Sequence, residues 1–399
     1  MAQQGTHLVI LGGKRTPFGA NGGVFKDVSP TELCTVAAKA ALEQSGIDGE
    51  QIDHVIVGNV LHSAPESIYI PRHVGLKVGI PEHVPSLGIN RLCGSGFQVI
   101  VEAYQQMTAG DSKIALVGGV ENMSMSPYLM RSVRWGNKMG NLPLTDMMME
   151  VFFDAYAQLP MGLTAERLGD QYKITREQAD RFALRSQNQF EAAASQGKFQ
   201  KEIAAFKSVD KKGNAVLIDQ DEHPKFGTTY EKLAKLKSVF KPDGLVTAGT
   251  ASGIVDGAAM MVVSTEAEAK SRKLRPLARM VSYGIAGCDP KIMGIGPVPA
   301  IQQALKKAKM KLDQMDLIEV NEAFAAQTLA VSRELSFPEE KLNINGGAIA
   351  VGHPLAASGT RIIQTLIYEL ERQKKRYGIG AACIGGGQGI AIIIESLLF

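Results

Sequence analysis

Four short stretches of this 399-residue chain bring together side chains suited to covalent catalysis. The first is residues 90–97, NRLCGSGF, where Cys93 is followed by small residues. An extended run (85–89) precedes it and a helical pattern (97–107) follows. That places Cys93 at a strand-to-helix turn, where free N–H groups and the helix dipole favour a thiolate. A free thiol of pKa ~8.5 is mostly protonated at neutral pH, so such help matters. The stretch reads also as a buried structural cysteine beside a glycine-rich turn, the commoner fate of a free cysteine. The second is residues 343–361, in which His353 sits between Gly352 and Pro354. An imidazole there can take a thiol proton, or serve as a hydrogen-bonded structural group. The third is Cys383, followed by Gly385, Gly386 and Gly387. A glycine-rich turn alone is weak support for dinucleotide binding, and no strand–helix–strand unit with an acidic residue follows it. The fourth is Asn321, directly after an apolar strand pattern, where an amide can hold a water or an oxyanion, or simply cap a turn.

These residues lie far apart in sequence, so a fold must gather them. Residues 7–11, 53–58 and 113–118 read as buried strands, the first and third ending at paired glycines. Residues 29–43 read as a helix opened by Ser29-Pro30 with Glu32 in the first turn. Alternation of strands and helices predicts an α/β fold. An internal repeat adds to this. Ala41-Leu42, Gln51, Asp53 and Val57 recur as Ala304-Leu305, Gln314, Asp316 and Val320, each 263 positions later. Two related halves are expected, 1–270 and 271–399, with a site where they face each other. Residues 121–246 break the pattern. They are rich in methionine and carry Arg131, Arg134 and Lys138 together with the single Trp. Thr175 and Gln178 form a capping-box pattern that opens a helix through residue 194. This segment reads as an inserted, partly helical lobe on the first half.

Bulk properties narrow the alternatives. A net charge of +3 gives no global field for nucleic acid or a membrane surface. No run of about 18 apolar residues exists for a membrane span. The four cysteines form no CxxC pair and are spaced too widely for a compact zinc site, so no metal is expected. Residues 1–6 lack a basic region followed by an apolar one, and residues 396–399 match no address motif. The expected place is the cytoplasm of a bacterium, or the mitochondrial matrix of a eukaryote.

Taken together, KRTPF (14–18), NRLCGSG (90–96), GTASGIVDGA (249–258), VNEAF (320–324), NGGAIAVGHP (345–354) and CIGGG (383–387) resemble the thiolase family along essentially the whole chain. The resemblance implies two pseudo-symmetric α/β halves in an α-β-α-β-α layering, with an inserted loop lobe. It implies an acyltransferase that cleaves 3-ketoacyl-CoA with CoA, in ping-pong order through an acyl-cysteine. Cys93 is then the nucleophile, His353 its activator and Cys383 the acid/base. Asn321 holds a water, and the backbone N–H groups of Cys93 and Gly385 bind the oxygen of the acylated cysteine. Ser252, Met161, Phe240, Ala323 and Phe324 would line the CoA tunnel, with Lys225 near the nucleotide. Coenzyme A is a substrate, no cofactor is implied, and a homo-oligomer, dimer or tetramer, is.

Two departures bear on this expectation. The His353 loop of the family has Gly two residues after the proline, where this chain has Ala356; a left-handed conformation there would cost roughly 1 kcal/mol. Pro160 precedes Met161, where biosynthetic acetoacetyl-CoA members commonly carry His. Asn59, Tyr69 to Arg72, and Gly287 to Pro290 likewise resemble the degradative branch. The alternatives are an acetoacetyl-CoA thiolase working in synthesis and an acyl-CoA-binding protein on the same fold that does not turn over.

Overall fold

The computed structural model describes residues 7–209 and 212–398. The leader reading of residues 1–6 therefore lies outside the described residues, as does Phe399 from the C-terminal reading. Nine strands build the central sheet: β1 (Leu8–Arg15), β2 (His54–Gly58), β3 (Ser86–Ile89), β4 (Ile114–Glu121), β5 (Val255–Thr265), β6 (Ala278–Gly287), β7 (Leu317–Val320), β8 (Tyr377–Ile384) and β9 (Gln388–Ser396). Their order is β7-β8-β9-β6-β1-β5-β4-β2-β3, and the short strand Gly19–Ala20 adds to β5. Among the described residues the two halves of the sheet join where Val9 lies opposite Arg279 and Ile10 opposite Ala278.

Each half repeats one plan. Strands β2 and β7 begin at 54 and 317, β4 and β8 at 114 and 377, all 263 residues apart. The repeat reaches single hydrogen bonds. The Asp53 carboxylate accepts from the N–H of Lys113 and Ile114, and Asp316 accepts from the N–H of Arg376 and Tyr377 at the equivalent positions. Helix α1 (Pro30–Ser45) ends on left-handed Gly46, while its counterpart α5 (Pro297–Ala308) ends on left-handed Lys309. Glycine adopts that conformation without the steric cost a lysine bears there, about 1 kcal/mol.

Two strand ends foreseen at paired glycines are strand interiors instead. Gly12 sits beyond a bulge within β1, and Gly118 and Gly119 lie inside β4. The reason is packing. A Cβ on Gly119 would come within 2.0 Å of the Ala356 carbonyl oxygen, so the sheet lies hard against the helix behind it. That helix, α7 (Leu355–Gln373), is buried along its length from Leu355 to Leu370. It pairs with α2 (Ser95–Ala109) between the two half-sheets. They meet at Gly96 and Gly359, where any Cβ would strike the other helix's backbone, and Thr360 Oγ1 donates to the Gly96 carbonyl. Side chains of both helices and of both half-sheets form one central core. A second core lies under α1. A third lies under α5 and α6 (Ala325–Leu335). The layers therefore run α-β-α-β-α.

The lobe contains α3 (Met161–Gln171) and α4 (Arg176–Ser195). The capping box of Thr175 and Gln178 is present. Ala179, Phe182 and Ala183 of α4 pack into the core of the C-terminal half. The lobe thus reaches across the molecule. Ser186 Oγ donates to the buried Glu322 carboxylate at 2.6 Å, which fixes the segment just after Asn321. No helix among the described residues is long and apolar enough to cross a membrane.

Candidate active site

The turn that presents Cys93 is built from polar side chains on either side of it. Asn90 Oδ1 accepts from the Leu92 N–H at 3.0 Å, and Ser95 Oγ accepts from the Arg91 N–H at 2.9 Å and donates to the Leu92 carbonyl at 2.7 Å. These bonds hold Leu92 at φ +46°, a left-handed conformation that costs an ordinary residue about 1–2 kcal/mol. The strained residue aims the next side chain, Cys93, into a cavity of about 60 Å³. The roomier grooves lined by Phe190 and Asp221, or by Lys14 and Lys39, hold none of the candidate residues.

That cavity gathers residues from across the chain. Cys93, Met161, Ser252, Ala323, Phe324, His353 and Gly385 all line it. The backbone N–H groups of Gly385 and of Cys93 itself lie where they favour a thiolate at Cys93. Even so, burial pushes the thiol up to about 11, outweighing those two donors, and a negative charge on Glu121 would add to the rise. The thiolate expected from the helix start is therefore not the resting form. Desolvation exceeds the help of the helix N-terminus.

His353 is buried and held at both nitrogens. Nδ1 lies 2.5 Å from Ser358 Oγ, and Nε2 lies 3.3 Å from Asn321 Nδ2. Asn321 Nδ2 can only donate, so Nε2 carries the lone pair. Nδ1–H then donates to Ser358, whose hydroxyl points towards the Pro354 carbonyl at 3.4 Å. Burial, helped by the charge of Arg361, pushes the imidazole down to about 3. At neutral pH it is an uncharged base on the cavity wall, its basic Nε2 held, among the described residues, only by the 3.3 Å contact with Asn321.

Cys383 is 1% exposed. It packs with Met293 and Ala323, and with Met161 and Phe324, all of which also line the cavity. Burial raises its thiol well above the ordinary value, and Cys93 and Cys288 raise it further. The two cysteines foreseen as partners therefore interact across one wall, with Cys383 on its inner side.

Two of the expected CoA contacts stand apart. Phe240 is 37% exposed, and its ring lies over Gly162 at the start of α3, beside Met161. Lys225 is exposed on a loop whose His223 ring packs against Gly253, next to Ser252. Both sit outside the inner cavity, near its Met161 and Ser252 sides. Arg131 pairs with Glu150 on the exposed part of the lobe. Ala356 lies in the first turn of α7 with no left-handed strain, so the cost foreseen for it does not arise.

Sequence reasoning missed several residues. Ser358 fixes the tautomer of His353; its place about one helical turn after the histidine was the available signal. Val151, Phe152 and Leu355 form an apolar side of the cavity, with Met147 and Met148 packed nearby. Those methionines sit in the lobe, and nothing local links them to Cys93.

Comparison with known proteins agrees with this architecture. The family model "Thiolase, N-terminal domain" matches residues 8–267, and "Thiolase, C-terminal domain" matches residues 274–396. The mitochondrial 3-ketoacyl-CoA thiolase of Homo sapiens is 52% identical over 390 residues, covering 98% of each chain. The crystal structure of human mitochondrial 3-ketoacyl-CoA thiolase in complex with CoA superposes with a TM-score of 0.96 at 51% identity, covering 98% of each chain. The Bacillus anthracis acetyl-CoA acetyltransferase structure gives a TM-score of 0.96 at 42% identity, covering 98% of this chain and 99% of that one. The chain belongs to the thiolase family.

Proposed function

We propose that this protein is an acyltransferase of fatty-acid β-oxidation. It cleaves 3-ketoacyl-CoA with a second CoA into acetyl-CoA and an acyl-CoA shortened by two carbons. The observation that carries this reading is the convergence of Cys93, the Asn321–His353 pair and the Gly385 N–H on one cavity.

The steps follow from the groups present. His353 Nε2 accepts the Cys93 proton as the sulfur attacks the keto carbon. The resulting oxyanion is met by the N–H groups of Cys93 and Gly385, which already favour negative charge at Cys93. The C–C bond breaks, and its electrons form the enolate of acetyl-CoA. His353 and a water on Asn321 stabilise the enolate oxygen, and Cys383 gives its proton to the carbon. The acyl group remains on Cys93 as a thioester. A second CoA then loses its thiol proton to Cys383, and its sulfur attacks the thioester and frees Cys93.

Ser252, Met161, Ala323 and Phe324 would hold the pantetheine arm along the cavity, with Phe240 and Lys225 farther out towards the nucleotide. CoA is a substrate here, and the chemistry requires no resident cofactor. We place the protein as a homo-oligomer, dimer or tetramer, in a bacterial cytoplasm or a mitochondrial matrix.

The apolar side formed by Val151, Phe152 and Leu355 supports acyl chains beyond four carbons, and methionines behind it adapt to varied length. Thiolysis rates measured on 3-ketoacyl-CoA substrates of increasing length test this. The expected outcome is a kcat/KM for six carbons and longer at least equal to that for acetoacetyl-CoA. Cleavage of the four-carbon substrate alone would instead assign the protein to acetoacetyl-CoA synthesis.

Ser358→Ala removes the acceptor of the His353 Nδ1–H. A buried donor left without a partner costs about 1–3 kcal/mol, so kcat should fall roughly tenfold to hundredfold. The KM for CoA should stay within about threefold, since Ser358 lies behind His353 and does not itself line the cavity. A fall in CoA affinity with kcat intact would remove Ser358 from this role.

A further inference from the structure

Behind the Cys93 turn lies a buried carboxyl group that the reaction steps do not use. Glu121 ends β4 and is fully buried. Its Oε1 accepts three hydrogen bonds, from Asn59 Nδ2 at 2.8 Å, the Val60 N–H at 2.7 Å and the Leu61 N–H at 3.3 Å. Its Oε2 is buried with no partner among the described residues, and so is Oδ1 of Asn59. The Asn59 amide cannot be turned to mend this. Its Nδ2 also donates to the Val120 carbonyl at 3.0 Å, so both N–H groups are spent on acceptors. Two orphan acceptors thus sit on two side chains already joined by a hydrogen bond. Leaving buried polar atoms unpaired is costly, and a single proton on Oε2 turns one of them into the donor the other lacks.

The turn held by Glu121 leads to the nucleophile. Val60 and Leu61 pack with Leu92, Cys93 and Leu355. The Val60 carbonyl accepts from Asn90 Nδ2 at 3.4 Å, and Asn90 in turn holds the N–H of the strained Leu92.

We propose that Glu121 is a positioning residue that works as a neutral acid: its Oε2–H donates to Asn59 Oδ1, and this uncharged clamp locks the 59–61 turn against the Asn90–Leu92 support of Cys93. The groups around it agree. The titratable neighbours are Asp256 on β5 and Cys93 itself, both of which would be disfavoured by a negative charge. The 59–61 turn, Met123 and the start of α7 bring no charge to it. Burial, with Asp256 adding to it, pushes the carboxyl up to about 8. The inference rests on Cys93 being the nucleophile.

The test compares wild type, Glu121→Gln and Glu121→Ala in the full-length enzyme. Glutamine reproduces a protonated glutamate, since its amide donates where Oε2–H would. Glu121→Gln should keep kcat within about threefold of wild type, while Glu121→Ala loses about 100-fold, the effect of a misplaced nucleophile. The rate at which iodoacetamide alkylates Cys93 should follow the same order, and it needs no substrate. Failure of thiolysis in the wild type would therefore count against the proposed function, not against the clamp. Urea unfolding gives a readout that a merely structural contact would not move. The native state keeps a proton that the unfolded chain loses above its ordinary value of 4.5. Wild-type stability relative to Glu121→Gln should then fall as pH rises from 4.5 to about 8 and level off above. The slope is at most about tenfold in the folding constant per pH unit. A Gln variant as damaged as Ala, or no relative pH trend in that window, would overturn the proposal. Should Glu121→Ala fail to fold, the Gln comparison alone still decides it.

Discussion

Cys93→Ala is expected to lower thiolysis by at least about 10⁴-fold, because no other group in the cavity can carry the acyl chain as a thioester. CoA affinity should stay within about threefold. The sulfur belongs to the reacting centre, while Ser252, Met161, Ala323 and Phe324 line other parts of the cavity. Initial rates together with CoA titration check both halves of this expectation. The raised thiol of Cys93 adds a further point. Because burial holds the sulfur protonated, its reaction depends on the neutral imidazole of His353. Alkylation of Cys93 in the apo enzyme should be slow at neutral pH and speed up as pH climbs towards about 11. A fast, pH-independent alkylation would mean that the thiolate is the resting form after all.

Cys383→Ser should separate the two half-reactions. Attack by Cys93 and cleavage of the C–C bond use His353 and the two backbone N–H groups, and Cys383 enters only to protonate the departing enolate, so some acyl transfer to the enzyme remains detectable in a single turnover. Net turnover should fall by about 10³-fold, since the group that protonates the acetyl-CoA enolate and deprotonates the incoming CoA is replaced by a poorer acid. Cys383 is buried beside Met293 and Ala323, so the substituted hydroxyl meets the same apolar surroundings as the thiol. Rapid-quench kinetics read the two steps separately. Loss of acylation together with turnover would make Cys383 indispensable to the first step as well, and full turnover would remove it from the chemistry.

Much of the site was legible because it rests on motifs. Cys93, His353, Asn321 and Gly385 were each singled out from local sequence or family resemblance, and all converge. The 263-residue repeat and the Thr175 capping box were equally visible, since both are patterns along the chain. What sequence concealed depends on tertiary burial. The resting protonation of Cys93 reverses the expectation from its helix start, because desolvation is a property of the assembled core and not of the turn. Of the glycines read as strand ends, Gly13 and Gly119 proved to be contact points for α7, while Gly12 packs on α1 and Gly118 on β5. That helix itself carries Arg361, Gln364 and Glu369, which pattern reasoning assigns to solvent. All three are buried, Arg361 against Glu319 at 3.9 Å. The Glu121–Asn59 pair lies 62 residues apart in sequence and shows no local signature.

The most direct measurement is mass spectrometry of the enzyme quenched during reaction with a 3-ketoacyl-CoA in the absence of free CoA. The protein should gain the mass of the shortened acyl group, the added mass should map to the peptide bearing Cys93, and added CoA should discharge it. An enzyme that releases acetyl-CoA with no label on that peptide, or with the label on Cys383, would contradict the account.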